Sequence, residues 1–515
     1  MERWNIRALA AATMASLSRM ATTRPPVTRD PMAVLLDRVV TRFESRDGVE
    51  LYDWTVRDSC EGTQIFGGTG AGKSSGSGRQ IALGMLSCGF GGLVLTAKPD
   101  ECQQWVEYAA EIGRSADLII VRPGGSYRFN FLNYEFQRSP GMTLTYNLAA
   151  LFCIAMEGGQ ERESTTDPYW EDALRQLLIN SNDLEILGSG AVTLPNLAEI
   201  IRTAPLRRTD PQSTRWRRDS LCWRRMEQAQ SADLTAERRL DLVETIKFFL
   251  LDYAGLADRT RSVVVSSFMS KATALIRSPL RELFCSSQPD TFTPDDSHRG
   301  KIIVLDLPVK EYGEAGRFAQ IIYKTVWQRS TERRSVTAGT PPVFLWADES
   351  QYFVTTHDML FQSTARSTLA ATVYLTQNIA TYYANMRGRS GHAATDSLLG
   401  NLQTKILHQN GDPSTNEWAE RLFAKDILRM RGSNVNSDGL VGRNVQESYH
   451  PVVPAKTFTT LKKGGPENNR IVEAVIFQGG RRTGAKGPHF LMAQFHQKGA
   501  VSNGRKRFRN PTALP

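Results

Sequence analysis

Residues 66–81 read FGGTGAGKSSGSGRQI, and within them Gly67-x-x-x-x-Gly72-Lys73-Ser74 is a complete phosphate-loop motif. It follows a short β-prone run, TQIF, and opens an apolar helical stretch, IALGMLSCGF, which is the strand–loop–helix setting the motif requires. Glycine lets backbone N–H groups turn inward around a phosphate chain, and the helix N-terminus adds partial positive charge. Gly67, Gly68, Thr69, Gly70, Ala71, Gly72, Lys73, Ser74 and Ser75 are therefore the expected nucleotide cradle. Lys73 would reach the β- and γ-phosphates, and Ser74 would ligate Mg²⁺. Gly76 and Gly78 are less easily explained. Each costs a helix up to about 1 kcal/mol against alanine, so a neighbouring strand or subunit is expected to pack tightly there.

A strand that feeds such a loop belongs to an α/β fold. GGLVLTAKP (91–99), LIIVRP (118–123), KIIVLDLP (301–308), PVFLWADE (342–349), ATVYLTQN (371–378) and TKILHQN (404–410) read as further strands. Short continuous apolar runs alternating with helices indicate a buried parallel sheet. Between them YWEDALRQLLIN, LPNLAEIIRT, RRLDLVETIKFFLLDYA and VVVSSFMSKATALI carry helical spacing. The expected organisation is an N-terminal extension and linker (1–55), a first part of the nucleotide-binding domain (56–140), an all-helical inserted domain (141–285), a second part of the nucleotide-binding domain (286–465) and a basic, glycine-rich C-terminal segment (466–515).

VFLWADES puts Asp348 and Glu349 at the end of an apolar strand. In phosphate-loop ATPases an acid at a strand tip holds Mg²⁺, and a neighbouring glutamate can orient and deprotonate the attacking water. Gln377 ends the following strand, where it could hydrogen-bond the γ-phosphate or simply edge a loop. Arg366 lies between those strands and could act as a finger across a subunit boundary or lie solvated on a helix.

The chain has 515 residues and a net charge of +10. That charge favours an acidic partner such as nucleic acid or an anionic membrane surface. The six cysteines are scattered, without a CxxC pair or a histidine cluster, which argues against a metal site or a disulfide framework and for a reducing compartment. The apolar run ALAAATMASL (8–17) is too short to span a bilayer, which needs about 20 residues, and reads better as an amphipathic surface helix than as a secretory signal. ATTRPPVTRDP (21–31) reads as a linker. A cytoplasmic, soluble chain is expected.

Taken in order, several stretches resemble the conjugative coupling ATPases of type IV secretion, within the RecA-like motor group that includes DNA-pumping translocases. They are GGTGAGKSSGSGR, RFNFLN (128–133), DPYWEDALRQLL (167–178), LWADESQYF, the pair STARS and LTQN with Arg366 and Gln377 eleven residues apart, and LLGNLQTKILHQNGDPSTNEWAERLF (398–423). Phe131 stands where that family has a proline. The resemblance implies a RecA-like fold, ATP and Mg²⁺ as cofactors and a homo-hexameric ring. It further implies ATP-driven passage of DNA, or handover of a relaxase–DNA substrate to a secretion channel. On it Arg366 is the finger acting in trans and Gln377 the γ-phosphate sensor. Many members of that family begin with transmembrane helices, and none is found here. The anchor is then a separate protein, or the motor has a different client. Two other readings are a cargo-recruiting adaptor whose assembly is switched by nucleotide, and a motor of a mobile-element or defence system.

RWRRDSLCWRR (215–225) sets arginines around Trp216 and Trp223, seven apart and so on one face of a helix. Single strands suit such a surface, because bases stack on rings and guanidinium groups take phosphates. Packing of both tryptophans into the helical region is the plainer reading. Arg481, Arg482 and the basic end, Arg505 to Arg509, could bind phosphates without sequence preference or merely solubilise.

Overall fold

The computed structural model describes residues 30–138, 143–157, 168–386, 391–435, 441–482 and 489–498. The apolar run 8–17, most of the expected linker, Asp167 and the basic end 505–509 lie outside the described residues.

Seven strands are buried as continuous apolar or half-apolar runs and pair in parallel: β3 (Thr63–Phe66), β4 (Gly91–Leu95), β5 (Leu118–Val121), β6 (Ile302–Leu305), β7 (Val343–Ala347), β8 (Ala370–Thr376) and β9 (Thr404–His408). Their order is β9-β3-β8-β7-β4-β6-β5, so the strand that feeds the glycine loop lies between two strands more than 300 residues away in sequence. Runs such as GGLVL and VFLWA need cover on both faces, and they have it. Val94, Phe344 and Trp346 share an apolar core with Ile81, Met85 and Trp105 of the helices Arg79–Ser87 and Glu101–Ile112. Leu93, Leu95, Val343 and Leu345 face a second core with Phe318, Ile322 and Trp327 of the helix Val309–Glu332.

Four antiparallel strands extend the sheet from β9, in the order β12, β13, β1, β2, to make eleven among the described residues. They draw on both chain ends. β1 (Val39–Ser45) and β2 (Leu51–Thr55) lie in the stretch expected to be an extension. β12 (Ile471–Gln478) and β13 (Phe490–His496) lie in the stretch expected to be a basic, glycine-rich tail. The charge in IVEAVIFQ is neutralised on the spot: buried Glu473 pairs with Arg46 at 2.9 Å and Lys462 at 3.5 Å. Arg481 is likewise engaged, bonding Asp58 at 3.0 Å.

Between β5 and β6 the described residues form helices and connections with no strand. Their starts carry side-chain caps, Thr193 to Asn196 N, Ser220 to Trp223 N and Thr235 to Arg238 N, which satisfy N–H groups left over at a helix start. Asn130 ties this region to the sheet side, donating its Nδ2 to Val192 O at 3.0 Å and accepting from Asn133 N. Phe131 starts the helix Phe131–Arg138 and packs on Phe152 of the helix Thr143–Glu157, so the missing proline leaves a buried aromatic contact in its place. A separate ribbon, β10 (Lys425–Val435) with β11 (Val441–Pro451), stands outside the main sheet. Among the described residues no single helix is long and apolar enough to cross a membrane.

Candidate active site

The glycine loop joins the end of β3 to a helix whose first turn is wide. Gly78 N donates to Lys73 O at 2.8 Å, a five-residue spacing that makes Ser74–Gly78 a π-turn before the regular helix begins. Gly72 has φ +83°, a conformation that side-chain-bearing residues rarely adopt, and a Cβ there would meet Val472 Cγ2 at 2.6 Å. A Cβ on Gly78 would lie 2.9 Å from Lys73 O and 3.3 Å from Leu375 on β8, and one on Gly76 would lie 3.3 Å from Val472 on β12. The two glycines beyond the motif thus make room for neighbouring strands of the same chain.

Ser77 in that turn bonds buried His408 on β9, Oγ to Nε2 at 2.7 Å, while His408 Nδ1 lies 3.0 Å from Glu473 O on β12. Burial pushes the imidazole down to about 3. The ring is therefore neutral at pH 7, with Nδ1–H donating to the carbonyl and Nε2 accepting from Ser77.

Lys73 is buried and donates its Nζ to Gly67 O at 2.7 Å and Gly68 O at 3.4 Å. Burial lowers its pKa below the ordinary lysine value, with Asp348 and Glu349 opposing that shift. Ser74 Oγ donates to Asp348 Oδ2 across the gap between the loop and the tip of β7. A hydroxyl and a carboxylate side by side are the hard oxygen donors that Mg²⁺ takes, and the buried ammonium beside them is held by loop carbonyls. The residues present fit a Mg²⁺-bound nucleotide. A narrow cleft bounded by Ser74, Glu101, Trp105, Tyr108 and Asp348 lies beside them.

Glu349 follows Asp348 with φ +52°. Its Oε1 lies 2.9 Å from Lys98 Nζ and its Oε2 accepts from Gln351 Nε2 at 3.0 Å. Burial alone would raise this carboxyl, but bonds from Gln351 and Lys98 and the charges of Lys98 and Lys73 outweigh it and hold it below the ordinary glutamate value. Lys98 and Glu101 carry no motif and are not expected from the sequence. Their only signal is a pair of opposite charges, TAKPDE, at the end of a buried strand beside β7. Glu101 Oε2 accepts from Ala97 N at 2.6 Å, while its buried Oε1 has no hydrogen-bond partner and lies 3.9 Å from Lys98 Nζ. Burial and the charge of Asp348 push Glu101 up to about 8.

Gln377 reaches the loop: its Oε1 accepts from Thr69 Oγ1 at 3.4 Å, and its own carbonyl accepts from Asn410 Nδ2 at 2.8 Å. Ser75 is exposed and accepts from Gln497 at 2.7 Å. Arg366 is not brought to this site. It precedes β8 at the N-terminal ends of the parallel strands, opposite the loop, 58% exposed, 3.3 Å from Glu61. The seven residues of β8 put it about 20 Å from Gln377 at roughly 3.3 Å per residue.

Trp216 and Trp223 do not share one helix. Ser220 breaks the segment into Thr214–Asp219 and Leu221–Ser231 and caps the second. The rings still meet edge-on at 5.8 Å, with Arg217 lying 4.8 Å over Trp223. Trp223 packs partly against the core, and Arg215, Arg218 and Arg224 are exposed around the pair.

These elements define the RecA-like phosphate-loop α/β fold. No family model matches the chain, and no curated protein matches it. Solved structures do. The bacterial conjugative coupling protein TrwBdeltaN70, in its unbound monoclinic form, superposes with a TM-score of 0.58 at 14% identity, over 94% of this chain and 93% of that one. The plasmid coupling protein TrwB in complex with the non-hydrolysable ATP analogue ADPNP gives 0.56 at 14% identity over 94% and 93%. TrwB in complex with ADP and Mg²⁺ gives 0.56 at 13% over 91% and 93%. At these identities the likeness establishes the shared fold.

Proposed function

We propose that this protein is an ATP-hydrolysing, DNA-translocating motor of the conjugative coupling type, working as a homo-hexamer that passes DNA or a relaxase–DNA substrate to a type IV secretion channel. The observation that carries the reading is the convergence of Lys73, Ser74, Asp348 and Glu349 at the C-terminal ends of β3 and β7, the two strands that flank β8. The fold shared with TrwB, whose structures hold an ATP analogue and ADP with Mg²⁺, supports it.

Lys73 exchanges the carbonyls of Gly67 and Gly68 for β- and γ-phosphate oxygens. The backbone from Gly67 to Ser75 wraps the phosphates, with Thr69 at the tip. Ser74 and Asp348 hold Mg²⁺, which neutralises developing charge when bound. Glu349, kept ionised by its neighbours, takes a proton from water as the water oxygen bonds the γ-phosphorus and the bond to the β-phosphate oxygen breaks. Gln377, tied to Thr69, registers loss of the γ-phosphate. Arg366 lies away from its own site, at the N-terminal end of β8, and serves a neighbouring subunit's nucleotide. The net charge of +10 suits a phosphate backbone as client. A peripheral place at the inner membrane, through a partner, fits a chain without a spanning helix among its described residues.

Purified protein should hydrolyse ATP only with Mg²⁺, and faster when DNA is added. A rate indifferent to both single- and double-stranded DNA at several salt concentrations would overturn the motor reading.

A further inference from the structure

Glu349 is weakened and restrained as a base while both its oxygens are held as they are here, since each bond to an oxygen lowers its basicity and fixes its direction. Oε1 is drawn to an ammonium and Oε2 to an amide, and the backbone is fixed in a left-handed turn. Lys98 is the tighter of the two restraints, since an ion pair between partly buried groups is stronger than a neutral hydrogen bond. A second acceptor waits beside it. Glu101 is almost fully buried and is anchored through one oxygen to Ala97 N, which leaves the other without a partner. An unmatched buried oxygen costs about 1–3 kcal/mol, a cost that calls for an explanation. It lies 3.9 Å from Lys98 Nζ, against 2.9 Å for Glu349. Movement of the ammonium by about an ångström, within the reach of a lysine side chain, brings it into hydrogen-bonding range of Glu101. Its approach favours the ionised form of that carboxyl.

We propose that Lys98 is a two-position restraint on the base: on Glu349 it holds the carboxylate away from water, and on Glu101 it releases it. The proposal rests on the reading of Glu349 as the base and names what controls it. Lys98 and Glu101 are positioning residues, since both act through Glu349.

The two positions predict suppression between variants. Glu101→Gln keeps an acceptor for Ala97 N but turns an NH₂ group toward the ammonium, so Lys98 stays on Glu349. Turnover at saturating ATP should fall about tenfold, equivalent to 1.4 kcal/mol. Lys98→Met should raise DNA-independent turnover about threefold, about 0.6 kcal/mol of barrier. The double variant should behave like Lys98→Met, because Glu101 has nothing left to receive. Affinity for a non-hydrolysable ATP analogue should stay unchanged in all three, and with that analogue and Mg²⁺ bound the wild-type ammonium should lie nearer Glu101 than Glu349. If Glu101→Gln costs the same in the Lys98→Met background, or Lys98→Met alone abolishes turnover, the restraint is wrong while the active-site reading stands. A wild-type protein without Mg²⁺-dependent ATPase activity that Lys73→Ala removes sinks both.

Discussion

Ser77 and His408 meet at 2.7 Å beneath the phosphate loop, and the far nitrogen of the same ring reaches Glu473 O at 3.0 Å. One neutral imidazole therefore pins the π-turn to β9 and β12 together. Its pKa is depressed in the fold, from 6.5 to about 3, so below pH 6.5 the unfolded chain gains a proton that the native state refuses. Stability contributed by His408 is full above that pH and is lost as pH falls toward 3, at about 1.4 kcal/mol per pH unit. His408→Gln should flatten this acid slope by that amount in denaturant titrations between pH 6.5 and 4. An unchanged slope would show that the ring is already charged.

The Ser74–Asp348 contact sets the metal requirement. Asp348→Asn should reduce turnover by two orders of magnitude or more, about 2.7 kcal/mol, and raise the Mg²⁺ concentration needed for half-maximal rate. Ser74→Ala should act in the same direction more weakly, as a neutral ligand is removed. Binding of a fluorescent ADP analogue in EDTA should survive both. Lys73→Ala should abolish turnover and weaken analogue binding in EDTA too, because a cation facing the phosphates is removed.

Gly78→Ala sets a methyl 2.9 Å from Lys73 O, and Gly76→Ala sets one 3.3 Å from Val472. Helix propensity favours each alanine by up to about 1 kcal/mol. The close contact at Gly78 exceeds that gain, so its alanine variant should melt lower and bind nucleotide less tightly, and Gly76→Ala should be milder. A Gly78→Ala protein that melts higher with full ATPase activity would refute the packing account.

Arg366 lies at the N-terminal end of β8, away from its own loop. Arg366→Ala and Glu349→Gln should each be nearly inactive alone. Mixed in equal amounts they should recover measurable ATPase activity, because some interfaces pair an intact arginine with an intact glutamate. Absence of recovery at every mixing ratio, with assembly confirmed by mass, counts against action in trans.

Arg215, Arg218 and Arg224 are exposed around the Trp216–Trp223 pair. Changing all three to alanine should leave the melting temperature within a degree or two, since exposed ion pairs contribute about 1 kcal/mol or less. Affinity for single-stranded DNA should drop, and the slope of log affinity against log salt should shrink by about 0.7 for each phosphate that is no longer neutralised. Equal affinity and slope would assign the arginines to solvent.

The parallel part of the sheet was legible because GGLVL and VFLWA are apolar without interruption and AATVYLT is broken only by small threonines, which suits a strand covered on both faces. That Lys73, Ser74, Asp348 and Glu349 lie together could be expected from the sequence, because a phosphate-loop motif and an acidic strand end both sit at strand tips. The antiparallel wing was not. VVTRFES mixes Arg42 and Glu44 into a half-exposed pattern, and the glycines and arginines around IVEAVIFQ outweighed the apolar run itself. Seven-residue spacing put Trp216 and Trp223 on one helix, whereas Ser220, a ready N-cap, ends one helix and starts another. Lys98 and Glu101 acquire meaning only through the neighbour relation of β4 and β7, which lie some 250 residues apart in the chain.

Val472 packs against Gly72 and Gly76, and β3 sits between β8 and β9. On a ribosome, the loop is made early and its supports late. Until residues 370–408 have emerged β3 lacks its flanking strands β8 and β9, and until β12 has emerged the loop lacks the wall that shapes it. Closing contacts of such long range is slow. A nascent chain should therefore acquire nucleotide binding only after β12 has been made, and truncation before β12 should yield a phosphate-loop sequence that holds no phosphate.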